Sequence, residues 1–120
     1  MEPYHLCDSE YRFLQVVWEA APVGSGRLVE LCAARLGWKK STTYTVLKKL
    51  CEKGVLQNES STVTVLVPRE QVDNQAAEEF VERAFGGSLP GFLAAFMGGR
   101  RLSASEAETL RKLIDAHRED

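Results

Sequence analysis

A chain of 120 residues, 44% of them hydrophobic and with a formal net charge of −2, is long enough for one small core and an appendage. It has no apolar run of membrane-spanning length and no charged-then-apolar leader, and its overall charge is not that of a general nucleic-acid binder. Charge is nevertheless segregated: residues 1–37 carry three Arg against five acids (−2), residues 38–67 five Lys against two acids (+3), and residues 68–120 seven bases against ten acids (−3). Cys7, Cys32 and Cys51 are an odd number without the close pairing of a zinc or redox motif. Cys32 and Cys51 fall within apolar patterns, as small buried hydrophobes in a reducing cytoplasm do.

Residues 1–7 show no pattern and read as a frayed arm. Asp8 or Ser9 is placed to cap a helix running to about Ala20, with Leu14, Val17, Trp18 and Ala21 on one face and Tyr11 at its edge. Residues 21–26 form a connector with room for a β-bridge near Val23. Ser25 or Gly26 opens a second helix, whose inward positions are Leu28, Leu31, Cys32 and Leu36. It ends near Gly37, a residue suited to the left-handed position past a helix end. Only Trp38, Lys39 and Lys40 precede a third helix over residues 41–53.

That third helix organises the rest. At about 100° per residue, Thr43, Val46, Leu47 and Leu50 form a buried stripe. The opposite side carries Ser41, Thr45, Lys48 and Glu52, flanked by Tyr44 and Lys49. Short hydroxyls allow close approach to another surface and hydrogen-bond to base edges or phosphate oxygens. Two short helices joined by a tight turn, the second with such a face, form a helix-turn-helix. After Gly54, residues 55–58 and 62–67 read as strands around Glu59, Ser60 and Ser61, a hairpin that completes the winged-helix order.

Pro68 opens a helix to about Phe85, with Val72, Ala76, Phe80 and Ala84 spaced by four. Gly86-Gly87 breaks it, and Ser88 caps a segment in which Leu89, Phe92, Leu93, Phe96 and Met97 form a stripe. After Gly98-Gly99, Ser103 and Glu106 form a capping box for a last helix with Ala107, Leu110, Leu113 and Ile114 on one face. These stripes need a partner, and a second copy under two-fold symmetry is the simplest one. The fold expected is mainly α with a small β-wing (α+β): a winged helix-turn-helix over 1–68 and a helical dimerisation domain over 69–120. The dimer interface is expected at Phe80, Ala84, Leu89, Phe92, Leu93, Phe96, Met97, Leu110, Leu113 and Ile114.

Residues 9–18, Gly37-Trp38, the set Thr42, Thr45, Leu47 and Leu50, Lys53-Gly54, the run Phe85-Gly86-Gly87-Ser88 and the closing helix from Leu102-Ser103 to Leu113 carry a resemblance. Over essentially its whole length the chain resembles the BlaI/MecI-type transcriptional repressors, the penicillinase and methicillin-resistance repressors. The resemblance implies a cytoplasmic homodimer with interlocked C-terminal helices, binding an inverted-repeat operator in double-stranded DNA. It further implies a membrane-embedded sensor metallopeptidase whose pathway cleaves the repressor, at a position corresponding to Ala95–Phe96. The family's Asn is replaced there by Ala95. Tyr44 stands where relatives carry Arg, the wing has no Lys or Arg, and no cysteine follows Cys51, unlike the copper-responsive branch.

The function expected is a homodimeric repressor. Base-edge contacts are assigned to Ser41, Thr42, Tyr44 and Thr45, and phosphate contacts to Lys39, Lys40, Lys48 and Lys49. One rival is a winged-helix module for protein assembly, binding through Trp38, Tyr44 and the wing. Another is a thiol or metal sensor built on His5, Cys7 and either Cys32 or Cys51. An enzyme is not expected, because His5 and His117 lie near the termini without a placed nucleophile and no phosphate-cradling loop is present. No cofactor or metal is expected.

Overall fold

In a computed structural model, which describes residues 5–119, the helix-turn-helix and the wing both form. The elements are α1 (Asp8–Ala20), β1 (Val23–Gly24), α2 (Ser25–Leu36), α3 (Lys40–Glu52), β2 (Leu56–Glu59), β3 (Thr62–Val65), α4 (Arg69–Phe85), α5 (Leu89–Met97) and α6 (Ala104–Ala116). The architecture is mainly α with a β-wing, a winged helix, and the bridge expected near Val23 becomes the third strand of its sheet. Strand order is β1-β3-β2, all antiparallel, with Val23 opposite Val63 and Leu56 opposite Val65. The chain divides into two compact units, one up to Ala77 and one from Glu78 onward.

In the first unit, α1 contributes Phe13, Leu14, Val16 and Val17 to the core, α2 Leu28 and Cys32, and α3 Val46, Leu47 and Leu50. Val55, Leu56, Val63 and Val67 close it from the wing, and Val72 from α4. The stripe of α1 is wider than the sequence pattern suggests. Both α2 and α3 pack on this helix, so Phe13 and Val16 are buried, while Trp18 and Ala21 are only partly covered. Gly37 takes the left-handed conformation (φ 69°) that ends α2, as expected.

The N-terminal arm requires a correction. Residues 1–4 of the expected frayed segment lie outside the described residues, but residues 5–7 are tied down. Helix α1 begins one residue earlier than expected, with Cys7 rather than Asp8 or Ser9 at its N-cap. The reason is Glu10, whose carboxylate accepts the Cys7 N–H at 2.9 Å. Both Glu10 oxygens also accept from Lys53 Nζ at 2.8 Å, and the same ammonium donates to the His5 carbonyl at 2.6 Å. Glu10 is 2% exposed. Burial alone pushes its carboxyl pKa up, but the hydrogen bonds from Lys53 and Cys7 outweigh that and hold it below the ordinary carboxylate value.

The second unit is differently built. From Glu78 onward none of the described residues is buried. Ser88 and Ser103 cap as read from sequence, Ser88 Oγ accepting the Gly91 N–H and Ser103 Oγ the Glu106 N–H, both at 3.0 Å, the second being the serine half of the expected capping box. Phe80, Phe85, Phe92 and Phe96 make a chain of ring contacts with centroids 5.5 to 6.1 Å apart. Phe80, Leu89, Phe96, Leu113 and Ile114 remain exposed.

The Lys53 clamp has a measurable consequence. Lys53→Met leaves a buried carboxylate without its cation and is expected to cost about 2–3 kcal/mol, less than a fully buried pair because Lys53 is partly solvated. A carboxyl with a depressed folded pKa stabilises above its unfolded pKa and loses that contribution as pH falls through the folded value. In Lys53→Met the lowering by Lys53 is gone and burial, the largest effect on Glu10, is opposed only by Cys7, so its pKa rises relative to the parent. Urea melts of the two proteins from neutral pH downward should therefore converge on acidification, and a gap independent of pH would contradict the assignment.

Candidate nucleic-acid interface

Helix α3 is fixed by its buried stripe of Thr43, Val46, Leu47 and Leu50, all at most 7% exposed. Just before its start, Trp38 stacks on Phe13 with centroids 5.9 Å apart and planes 5° apart. Thr43 Oγ1 donates to the Lys39 carbonyl at 3.2 Å. At its far end the Lys53–Glu10 pair ties the helix to the start of α1. The opposite face therefore has a defined direction.

Every residue assigned to contact a partner is exposed: Ser41, Thr42, Tyr44, Thr45 and the four lysines Lys39, Lys40, Lys48 and Lys49. They do not present equivalent chemistry. Thr45 Oγ1 donates to the Ser41 carbonyl at 2.9 Å, so it shows outward an acceptor lone pair and a methyl group. Tyr44 is turned toward its own fold: its hydroxyl is 3.4 Å from Ser25 Oγ, and the Lys40 ammonium is 6.0 Å from its ring centre. Tyr44 thus offers its ring edge more than its hydroxyl.

None of the four lysines has an acidic partner among the described residues. Lys39 and Lys40 lie at the N-terminal end of α3, where the helix dipole disfavours cations, and its first turn contains no acid. Unpaired ammonium groups at a positive helix end are suited to an external anion. Glu52 shares the face at its far end and limits the basic surface to about three turns.

The wing adds no cation. Between Gly54 and Val67 the only charge is Glu59, which accepts from Gln57 Nε2 at 2.7 Å. The turn is tighter than expected: Glu59 belongs to β2, leaving Ser60 and Ser61, both with positive φ (51° and 62°). The Ser61 carbonyl accepts the Ser25 N–H at 2.8 Å. Ser25, 6% exposed, thereby joins wing tip, α2 and Tyr44 of α3. Sequence reasoning treated it only as a possible helix start. Its role depends on a partner 36 residues away in the chain and had no local signal.

Burial raises the pKa of the Cys32 and Cys51 thiols, against smaller opposing hydrogen bonds from Thr43 and from the Asn58 backbone. Both stay protonated at neutral pH, a poor basis for a thiol sensor. Among the described residues, no group of three or more His, Cys, Asp or Glu side chains is gathered to hold a metal. Trp38, offered as a partner-binding surface in the assembly reading, is half-buried against Phe13. No helix among the described residues is long and apolar enough to cross a membrane.

The family model described as "Penicillinase repressor" matches residues 6–116. The chain is 28% identical over 112 residues to an uncharacterized 16.5 kDa protein of Latilactobacillus sakei, covering 90% of this chain and 77% of that one. It is 22% identical to the penicillinase repressor of Bacillus licheniformis, covering 94% and 91%. It is 19% identical to the methicillin resistance regulatory protein MecI of Staphylococcus aureus, covering 93% and 94%.

The wing tip can be tested without any ligand. Two consecutive L-residues in the left-handed region are strained, and Asn-Gly is the pair that suits such a turn. Replacing Ser60-Ser61 by Asn-Gly is expected to stabilise the protein by about 1 kcal/mol in urea unfolding. A loss of stability would show that the serine hydroxyls hold the turn.

Proposed function

Because the chain belongs to the penicillinase repressor family of transcriptional regulators, we propose that it represses as a cytoplasmic homodimer that lays α3 of each protomer into the major groove of an inverted-repeat operator. The observation that carries this reading is the exposed face of α3: short hydroxyls backed by four lysines without acidic partners, opposite a stripe that fixes its direction. Ser41, Thr42 and Thr45 approach base edges, and Tyr44 meets an apolar feature such as a thymine methyl. Lys39, Lys40, Lys48 and Lys49 take the phosphates. The neutral wing contributes little charge and braces α2 through Ser61 and Ser25.

The tail supports the homodimer. A unit in which every described side chain is at least partly solvated lacks a core of its own, and its exposed Phe80, Leu89, Phe96, Leu113 and Ile114 supply one when two copies meet. Ala84, Phe92, Leu93, Met97 and Leu110 complete that surface. Induction through a membrane-embedded sensor metallopeptidase would act at Ala95–Phe96. That bond lies inside α5 and becomes accessible to a protease only when the helix unwinds.

With DNA from the protein's own upstream region, log affinity should fall against log salt with a slope of about −0.9 per phosphate neutralised. Lys48→Gln should weaken binding to all DNA alike and reduce the slope by about one unit. Thr45→Ala should leave the slope and reduce discrimination between operator and random duplex about tenfold. A flat salt response would falsify this reading. For the tail, sedimentation should show a dimer at micromolar concentration. Ile114→Asp, at an exposed position, should weaken it by at least about a hundredfold without unfolding the first unit.

A further inference from the structure

Before Glu78, only two large hydrophobic side chains are exposed among the described residues, Tyr44 (36%) and Leu66 (51%). Both line one open groove of about 600 Å³ between α3 and β2. Its floor is Leu47, Cys51 and Leu56, and its rim carries Lys48 with Gln57 and Asn58. The exposed apolar surface of this unit is therefore gathered at one place instead of scattered, which distinguishes a binding groove from ordinary surface leucines.

The polar rim is one-sided in charge. Lys48 has no acidic partner among the described residues. The nearby Glu59 is held by Gln57 Nε2, and Cys51 is a protonated thiol that accepts the Asn58 N–H. The groove thus combines an apolar floor, one ammonium and polar strand residues, within the size range of small-molecule sites. Duplex DNA satisfies the ammonium but offers little to Leu66, which lies beyond β3 and not on the recognition helix.

We propose that this groove binds a small amphiphilic carboxylate, its acid group on Lys48 and its apolar body between Tyr44 and Leu66, and that binding releases the protein from DNA. The second half rests on the DNA-binding reading above, because Tyr44 and Lys48 belong to both surfaces. A ligand that engages them competes directly with a duplex, and its effect is limited to its differential affinity for the free protein.

The test uses the full chain with octanoate, and with octylammonium and octanol as probes of equal chain length. Calorimetry on the free protein should show one octanoate per chain and binding at least about tenfold weaker for either control, a difference of about 1.4 kcal/mol. Leu66→Gln should weaken octanoate at least about tenfold by removing buried apolar area, while changing affinity for upstream DNA less than about twofold. Lys48→Gln should abolish the preference for the carboxylate over octanol. Saturating octanoate should release DNA from the parent protein and not from Leu66→Gln. No binding at millimolar octanoate, or binding indifferent to Leu66 and to head-group charge, would overturn the site. Specific binding that leaves the DNA complex intact would overturn its regulatory role. Absence of salt-dependent DNA binding would instead remove the functional reading, and the titration of the free protein would still decide whether the groove is a site.

Discussion

The orientation of α3 rests on being held at both ends as well as along its buried side. At its start, Trp38 stacks on Phe13 and so ties the turn to α1. At its end, Lys53 reaches the buried carboxylate of Glu10, also on α1. The hydrophobic stripe sets rotation about the helix axis, and the two end contacts resist tilt against α1. Base-edge readout depends on placing short hydroxyls to within hydrogen-bond distance, so a helix free to rock would lose discrimination before it lost affinity. A buried charge pair adds little net stability compared with an apolar substitute, but only one arrangement satisfies its bonds.

Much of this architecture was legible in the sequence, because the signals are local. The stripe of α3, the glycine after α2, the alternation of Val63 and Val65 and the caps at Ser88 and Ser103 each depend on residues a few positions apart. What escaped notice is non-local. Nothing local singles out Glu10, since its partner Lys53 is 43 residues away. The arm at residues 5–7 looked frayed because the bond that anchors His5 comes from that same lysine. Tyr44 is read from sequence as a base contact or as packed on its own neighbours, and its hydroxyl does lie 3.4 Å from that of Ser25, which reduces what it has to offer.

The wing shows how a familiar element changes its work when its charge is removed. Without Lys or Arg it has no strong attraction for phosphate, yet its strained turn presents the Ser61 carbonyl to the Ser25 N–H at the start of α2. Its outer side leaves Leu66 exposed on the groove that Tyr44 also lines, so the surface toward α3 is apolar where a phosphate-binding wing would be basic. Charge, shape and exposure thus divide the first unit into a basic hydroxyl face and an adjoining apolar groove. The tail, with none of its described residues buried, exposes the apolar surface proposed to pair two such units.

The central claim is that the outward face of α3 is the surface that meets DNA. Amide and side-chain NMR shifts recorded while the full chain is titrated with duplex from its own upstream region test it most directly. The account predicts that the largest changes fall at residues 39–49, on Ser41, Thr42, Thr45 and Lys48 foremost, with small changes at Ser60 and Ser61. Shifts concentrated in the wing tip or the tail, with the Thr45 side of α3 undisturbed, would contradict it.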